Sequence, residues 1–215
     1  MNNLTEKHRP KSFDEIVGNR EHIEKLQNFV TRPKGAVPNM LFLGPPGCGK
    51  TTAARCFATA RKLWTEQNSK DPFACLFDAN YSEYNASQYR GIDTIREIAR
   101  YAGLSCETIT YLDESDNFTK DAQEALRSPL ENKGNAIFIL AGNDEAGFSD
   151  AIKSRCVIFR FQKLETPEIY NRLLYILKAE DVKVTEQIEK KLKELAKNAD
   201  GDLRKAINAL EALIR

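Results

Sequence analysis

The chain has 215 residues, 41% of them hydrophobic and 29% charged, with a formal charge of +1. That length allows one large or two modest domains with a buried core. No apolar run is long enough for a bilayer and no charged-then-apolar leader opens the sequence, so no membrane role is expected. The near-neutral charge excludes a global basic field for nucleic acid and leaves a local one open. Cys48, Cys56, Cys75, Cys106 and Cys156 show neither a C-x-x-C pair nor zinc-ligand spacing, so reduced thiols in a cytosol-like compartment are expected. His8 and His22 have no metal or triad partner in the sequence and are read as uninvolved in chemistry.

Taken in chain order, Ile23, Leu26 and Val30 form a helical stripe ahead of a strand at Asn39–Leu43. A second helix follows, with Ala53, Ala54, Phe57, Ala58 and Leu63 inward. Residues 66–80, polar and holding Pro72, read as a loop. Strands are predicted at Tyr81–Tyr84, Glu107–Leu112, Ala136–Ala141 and Cys156–Phe161, with helical stripes at Ile92/Ile95/Ile98 and Ala122/Ala125/Leu126 between them. Thr119 is expected to cap the latter helix and Pro129 to kink or end it. This alternation predicts an α/β fold, a five-stranded parallel sheet with helices on both faces. After Phe161 the pattern turns all-helical. Thr166 is read as an N-cap before Pro167, Thr185 as the cap of a second helix and Asp202 as the cap of a third. The expected division is a nucleotide-binding domain over 1–162 and a three-helix lid over 163–215.

The strongest chemical signal is Gly44-Pro45-Pro46-Gly47-Cys48-Gly49-Lys50-Thr51, a complete G-x-x-x-x-G-K-S/T cradle between a strand and a helix. Backbone N–H groups freed by the glycines, with the helix N-terminus, would surround phosphate oxygens. Lys50 would reach the β- and γ-phosphates and Thr51 would hold Mg²⁺. Asp113 and Glu114, just past a buried strand, are read as the metal-holding acid and the base that orients attacking water. Asn143 could bond the γ-phosphate or that water, or be an ordinary turn residue. Arg155 is either a surface arginine or a finger for a neighbouring subunit's site. Arg204 lies in the first turn of the last helix, an electrostatically poor place for a cation, which favours an anionic partner.

Together these motifs resemble the small subunit of replication factor C, the sliding-clamp loader of the AAA+ class. Glu6-Lys7-His8-Arg9-Pro10 is similar to the family's E-K-Y-R-P, with His8 in place of tyrosine. Phe13–Gly18 is similar to the segment around adenine, and the resemblance implies nucleotide contacts from Arg9, Val17, Gly18, Gly44–Thr52, Asn143 and Arg204. Tyr111–Asp116 resembles an L-D-E-A-D box, with Ser115 for alanine, and Ser154-Arg155-Cys156 is the family's S-R-C. Asn143 falls at its sensor-1 position and Gly201–Arg204 resembles its sensor-2 segment. Asn85-Ala86-Ser87 with Arg90–Asp93 resembles N-A-S-D-E-R-G-I-D, although Gln88-Tyr89 replaces the acidic pair.

The resemblance implies an ATP- and Mg²⁺-dependent ATPase within a ring of like or unlike subunits, with Arg155 acting on the neighbour's nucleotide. Partners implied are other loader subunits, a ring clamp and primer–template DNA. Arg90, Gly91 and Ile92 would start a helix facing DNA phosphates or merely cap that helix. The compartment implied is the cytoplasm in an archaeon and the nucleus in a eukaryote. The family continues into a helical collar beyond the point where this sequence stops. Other AAA+ DNA motors or initiators, and a non-hydrolysing ATP-binding scaffold, are the alternatives.

Overall fold

A computed structural model describes residues 3–68, 80–88, 92–93, 95–96, 98 and 107–214. Five strands form one sheet: β1 (Asn39–Leu43), β2 (Asn80–Asn85), β3 (Thr108–Asp113), β4 (Ile137–Gly142) and β5 (Cys156–Arg160). All pairings are parallel and the order is β2-β3-β4-β1-β5. Strands buried on both faces read as continuous apolar runs, which is why Met40-Leu41-Phe42-Leu43 and Ile137–Ala141 do not alternate. Successive side chains still point to opposite faces. Met40, Phe42, Ile137 and Ile139 join Leu26, Phe29 and Phe57 in one core layer. Leu41, Leu43, Phe138 and Leu140 join Leu126, Leu130 and Ile152 in the other.

The helices are α1 (Leu4–Lys7), α2 (Arg20–Val30), α3 (Lys50–Asn68), α4 (Lys120–Glu131), α5 (Asp150–Lys153), α6 (Thr166–Ala179), α7 (Glu186–Asn198) and α8 (Leu203–Ile214). The described residues between 92 and 98 are also helical, and Ile95 and Ile98 are buried there. The α6, α7 and α8 stripes converge on a separate cluster with Leu173, Ile176, Leu192 and Leu210, which also takes in Leu4 from the N-terminal arm. No helix among the described residues is long and apolar enough to cross a membrane. Cys48, Cys56 and Cys156 are free thiols.

Caps fix the helix starts. Thr119 Oγ1 accepts the N–H of Ala122 at 3.2 Å, Thr185 Oγ1 that of Ile188 at 3.4 Å, and Asp202 Oδ1 that of Lys205 at 3.0 Å. Thr166 is not a cap. Glu165 stands there in extended backbone, and the Glu168 carboxylate accepts its N–H at 2.9 Å, so the helix opens one residue earlier than expected. Pro129 lies inside α4 but only two residues before its end, where few i→i−4 bonds remain to lose. The expected loop over 66–80 is corrected at both ends: α3 continues through Asn68, and β2 begins at Asn80. Residues 69–79 lie outside the described residues.

One buried ion pair ties these layers together. Arg61, on α3, and Glu107, just before β3, are both fully buried, with bonds of 2.7 Å from Nε and from Nη2. Nη1 of Arg61 donates to the carbonyls of Val30 and Arg32 at 2.5 and 2.6 Å, closing the end of α2. A desolvated guanidinium is tolerable here because a carboxylate and two carbonyls replace its water.

Candidate nucleotide site

Ligands in open parallel sheets bind beyond the carboxyl ends of the strands. The order β3-β4-β1 puts Asp113, Gly142 and Leu43 at that edge side by side. The loop leaving Leu43 is the glycine-rich cradle, and α3 starts within it at Lys50. A cleft opens above, lined by Pro46, Gly47, Cys48, Gly49, Lys50, Thr51 and Thr52, by Asp113, Glu114 and Asn143, and by Arg9, Val17 and Arg204. The structure thus brings together most residues singled out from sequence.

Lys50 is buried, and its Nζ donates to the carbonyls of Gly44 (2.5 Å) and Pro45 (2.9 Å) and to Asn143 Oδ1 (3.2 Å). Among the described residues it has no carboxylate partner within ion-pair distance. Burial pushes its ammonium below the ordinary value, against the raising pull of Cys48, Asp113 and Asp116. Such a half-compensated cation at a glycine loop is suited to an anionic ligand. Gly44 and Pro45 serve through their carbonyls and do not themselves line the cleft.

Thr51 Oγ1 lies 3.2 Å from Asp113 Oδ2 and 3.1 Å from the Tyr111 hydroxyl. Burial raises the Tyr111 phenol well above its usual range, so it stays a neutral hydrogen-bonding group. A hydroxyl and a carboxylate converging at this distance are hard oxygen donors, and they fit Mg²⁺ with remaining positions left to water and phosphate. Asp113 is the last residue of β3, one position inside the expected edge. Glu114 follows in the left-handed region, φ 53°, a conformation uncommon for a non-glycine residue. That turn aims its carboxylate at Ser87, whose hydroxyl donates to it.

On the opposite wall, Arg9 Nη1 donates to Thr52 Oγ1 at 3.1 Å while its other nitrogens hold Glu6. Arg204, exposed in the first turn of α8, has no hydrogen bond or ion pair among the described residues. Lid and cradle touch directly: Leu203 N–H donates to Gly47 O at 3.3 Å, and Asp202 packs where a side chain on Gly47 would stand. Gly47 therefore needs both its left-handed backbone (φ 72°) and its missing Cβ.

The other residues singled out from sequence fall away from this cleft or outside the described residues. Gly18 does not line the cleft; its left-handed turn (φ 71°) lets Leu164 and Glu168 pack against its Cα. Arg155 is not near this chain's own cradle. The register Asn39↔Cys156 puts it at the amino edge of the sheet, a strand length of about 15 Å at ~3.3 Å per residue from the phosphate loop. There its Nη1 donates to Ala151 O and its Nη2 pairs with Glu131, both at 2.9 Å. Arg90 and Gly91 lie outside the described residues, and Ile92 is a half-buried helical residue.

Thr5, Arg172 and Ile207 also line the cleft, carry no motif and were missed, while Ile16 and Leu203 lie within the segments likened to the adenine and sensor-2 motifs without being named as contacts. His8, read as uninvolved, also faces the cleft, with Nε2 2.5 Å from Glu180 Oε1 and its carbonyl accepting from Arg172 at 2.6 Å. The sequence signal for His8 was its place in the E-K-Y-R-P-like opening, beside Arg9. Arg172 gave none, because its partner lies 164 residues away.

Comparison with known proteins follows the same lines. The family described as "ATPase family associated with various cellular activities (AAA)" matches residues 40–164, and an "RCF1/5-like, AAA+ ATPase lid domain" matches 171–215. The chain is 40% identical to a replication factor C small subunit of Staphylothermus marinus, over 96% of this chain and 60% of that protein. It is 42% identical to one from Archaeoglobus fulgidus, over 96% and 62%. The chain thus spans about 60% of the length of these curated relatives. In three dimensions it is similar to the Holliday junction branch migration motor RuvB of Thermotoga maritima, at TM-score 0.75 and 21% identity over 94% of this chain and 64% of that one. At that identity the likeness speaks for the fold alone.

Proposed function

We propose, from the premise that this chain belongs to the AAA family of ATPases, that it hydrolyses ATP with Mg²⁺ as part of a sliding-clamp loader subunit. The observation that carries the reading is the convergence of Lys50, Asn143, Thr51 and Asp113 in one cleft, with bonds of 3.2 Å linking Lys50 to Asn143 and Thr51 to Asp113. The loader assignment is supported by the likeness to replication factor C small subunits over 96% of the chain. Other loader subunits, a ring clamp and primer–template DNA are the proposed partners.

Bound Mg²⁺ would supply charge neutralisation for phosphoryl transfer to water. The chain's own residues do the rest. Lys50 exchanges the Gly44 and Pro45 carbonyls for phosphate oxygens, and burial strengthens that attraction. Thr51 and Asp113 hold the metal. Asn143 offers a neutral amide beside Lys50 and so positions ligand or water without competing for the cation. Glu114 takes the proton from attacking water, and Ser87 orients its carboxylate meanwhile. Arg204 meets the phosphates from the lid. Arg155, a strand length away at the other edge, serves a neighbouring chain's cleft.

The test is turnover at saturating ATP, with nucleotide binding measured separately. Glu114→Gln should bind ATP as the wild type does and lose about 10²–10⁴ in turnover, the range for a general base. Undiminished hydrolysis removes Glu114 from the mechanism. Wild-type binding without any hydrolysis replaces the ATPase with a nucleotide-dependent scaffold. Turnover that rises with protein concentration and disappears in Arg155→Ala supports sites shared between subunits.

A further inference from the structure

The acidic box ends in Asp116, which neither holds the metal nor touches water in the proposed chemistry. Its Oδ2 accepts the backbone N–H of Asn143 at 2.9 Å and of Asp144 at 3.4 Å. These amides belong to the first residues beyond β4, where the chain leaves the sheet and ladder bonding stops. Asn143 is exposed, so packing restrains its side chain little. Its backbone must therefore be held for its amide oxygen to sit 3.2 Å from Lys50 Nζ.

The surroundings of Asp116 are shaped for this contact. A Cβ on Gly147 would lie 2.6 Å from Asp116 Cβ, and one on Gly142 would lie 3.0 Å from Asp116 Cγ. Glycines on both sides let the carboxylate come close to the strand exit. The far side of the same loop is held by Gln123, which donates to Gly147 O at 2.7 Å and accepts the N–H of Ser149 at 2.9 Å.

We infer that Asp116 is a positioning residue that pins the exit of β4, so that Asn143 meets Lys50 in the orientation the reaction needs. A charged acceptor suits the task because hydrogen bonds to a carboxylate are about twice as strong as neutral ones. The inference rests on the hydrolytic reading above, and its test has an arm that does not.

The test is a double-mutant cycle between Asp116 and Asn143. Asp116→Ala should lower turnover at saturating ATP about tenfold, the scale of one charge-assisted hydrogen bond, with nucleotide affinity nearly unchanged. Asp116→Asn keeps an acceptor oxygen and should restore most of the loss. In an Asn143→Ala background, Asp116→Ala should cost nothing further, because the residue acts through Asn143. Losses that simply add would overturn the inference. Amide hydrogen exchange at Asn143 and Asp144 is the independent arm: both should be protected in the wild type and exchange faster in Asp116→Ala. Unchanged exchange overturns the inference even if the chain hydrolyses nothing, whereas absent hydrolysis with the expected exchange pattern overturns only the hydrolytic reading.

Discussion

Two cations on one helix show how differently a fold can treat a buried charge. Arg61, in the fourth turn of α3, is closed off by Glu107 and by the carbonyls of Val30 and Arg32. Lys50, at the first turn, is buried, and among the described residues its hydrogen bonds go to its own loop's carbonyls and one neutral amide. A completed cation is a structural rivet, while an incompletely compensated one facing a cleft leaves interaction free for a ligand. Burial alone does not tell the two apart. The partner set does.

Breaking the rivet should have the largest effect on stability. Arg61→Met takes the guanidinium away from the buried Glu107 carboxylate and should cost about 3–5 kcal/mol in urea unfolding. Arg61→Met with Glu107→Leu should recover most of it, since an apolar pair of similar volume replaces the ion pair. A single variant as stable as the wild type would mean that the pair is not closed as described.

At the start of α3, Lys50→Met should leave stability nearly unchanged and weaken ATP binding at least about tenfold, the loss of charge-assisted bonds to phosphate. Titration with a fluorescent nucleotide reads this directly. Strong destabilisation with binding retained would reverse the roles of the two cations.

A smaller effect lies in pH dependence. Burial holds the folded Lys50 below its ordinary value of 10.5, so beneath 10.5 the unfolded chain binds more protons there. This group's contribution to stability therefore rises with pH, from its depressed folded value up to 10.5. Burial depresses Lys133 too, and burial of Cys48 and Cys56 acts in the opposite sense on the total. The informative quantity is thus the difference between wild type and Lys50→Met. The variant's unfolding free energy should climb less steeply in that window, and parallel curves would contradict the buried-cation reading.

The smallest effect belongs to a cation that is neither rivet nor site. Lys163 pairs with Asp200 at 2.5 Å, but both side chains are more than half exposed. Lys163→Ala should change stability by no more than about 1 kcal/mol. A larger loss would show that the lid depends on surface charge more than on its apolar cluster.

The sequence by itself determined whatever depends on neighbours a few residues apart. β1 is where its apolar run puts it, the cradle is where its glycines and Lys50 put it, and Thr119, Thr185 and Asp202 cap the helices they precede. Of the caps read from sequence one was misplaced, at Glu165, where Thr166-Pro167 offered a competing local signal and the Glu168 side chain decided the matter. Strand edges shifted by a residue because pairing with a neighbouring strand, which the sequence does not display, sets where a ladder ends.

Tertiary structure alone decided the rest. The order β2-β3-β4-β1-β5 brings Asp113 and Asn143 beside the cradle, although they lie 62 and 93 residues from their partners Thr51 and Lys50. It also sends Arg155 to the opposite edge. The N-terminal arm packs Leu4 into the lid and turns His8 toward the cleft, and Ser87 meets Glu114. Local preferences come from sterics and hydrogen bonds between near neighbours, which a linear pattern records. Contacts between distant segments are chosen by which apolar faces can be buried together, and that choice is made only when the chain folds.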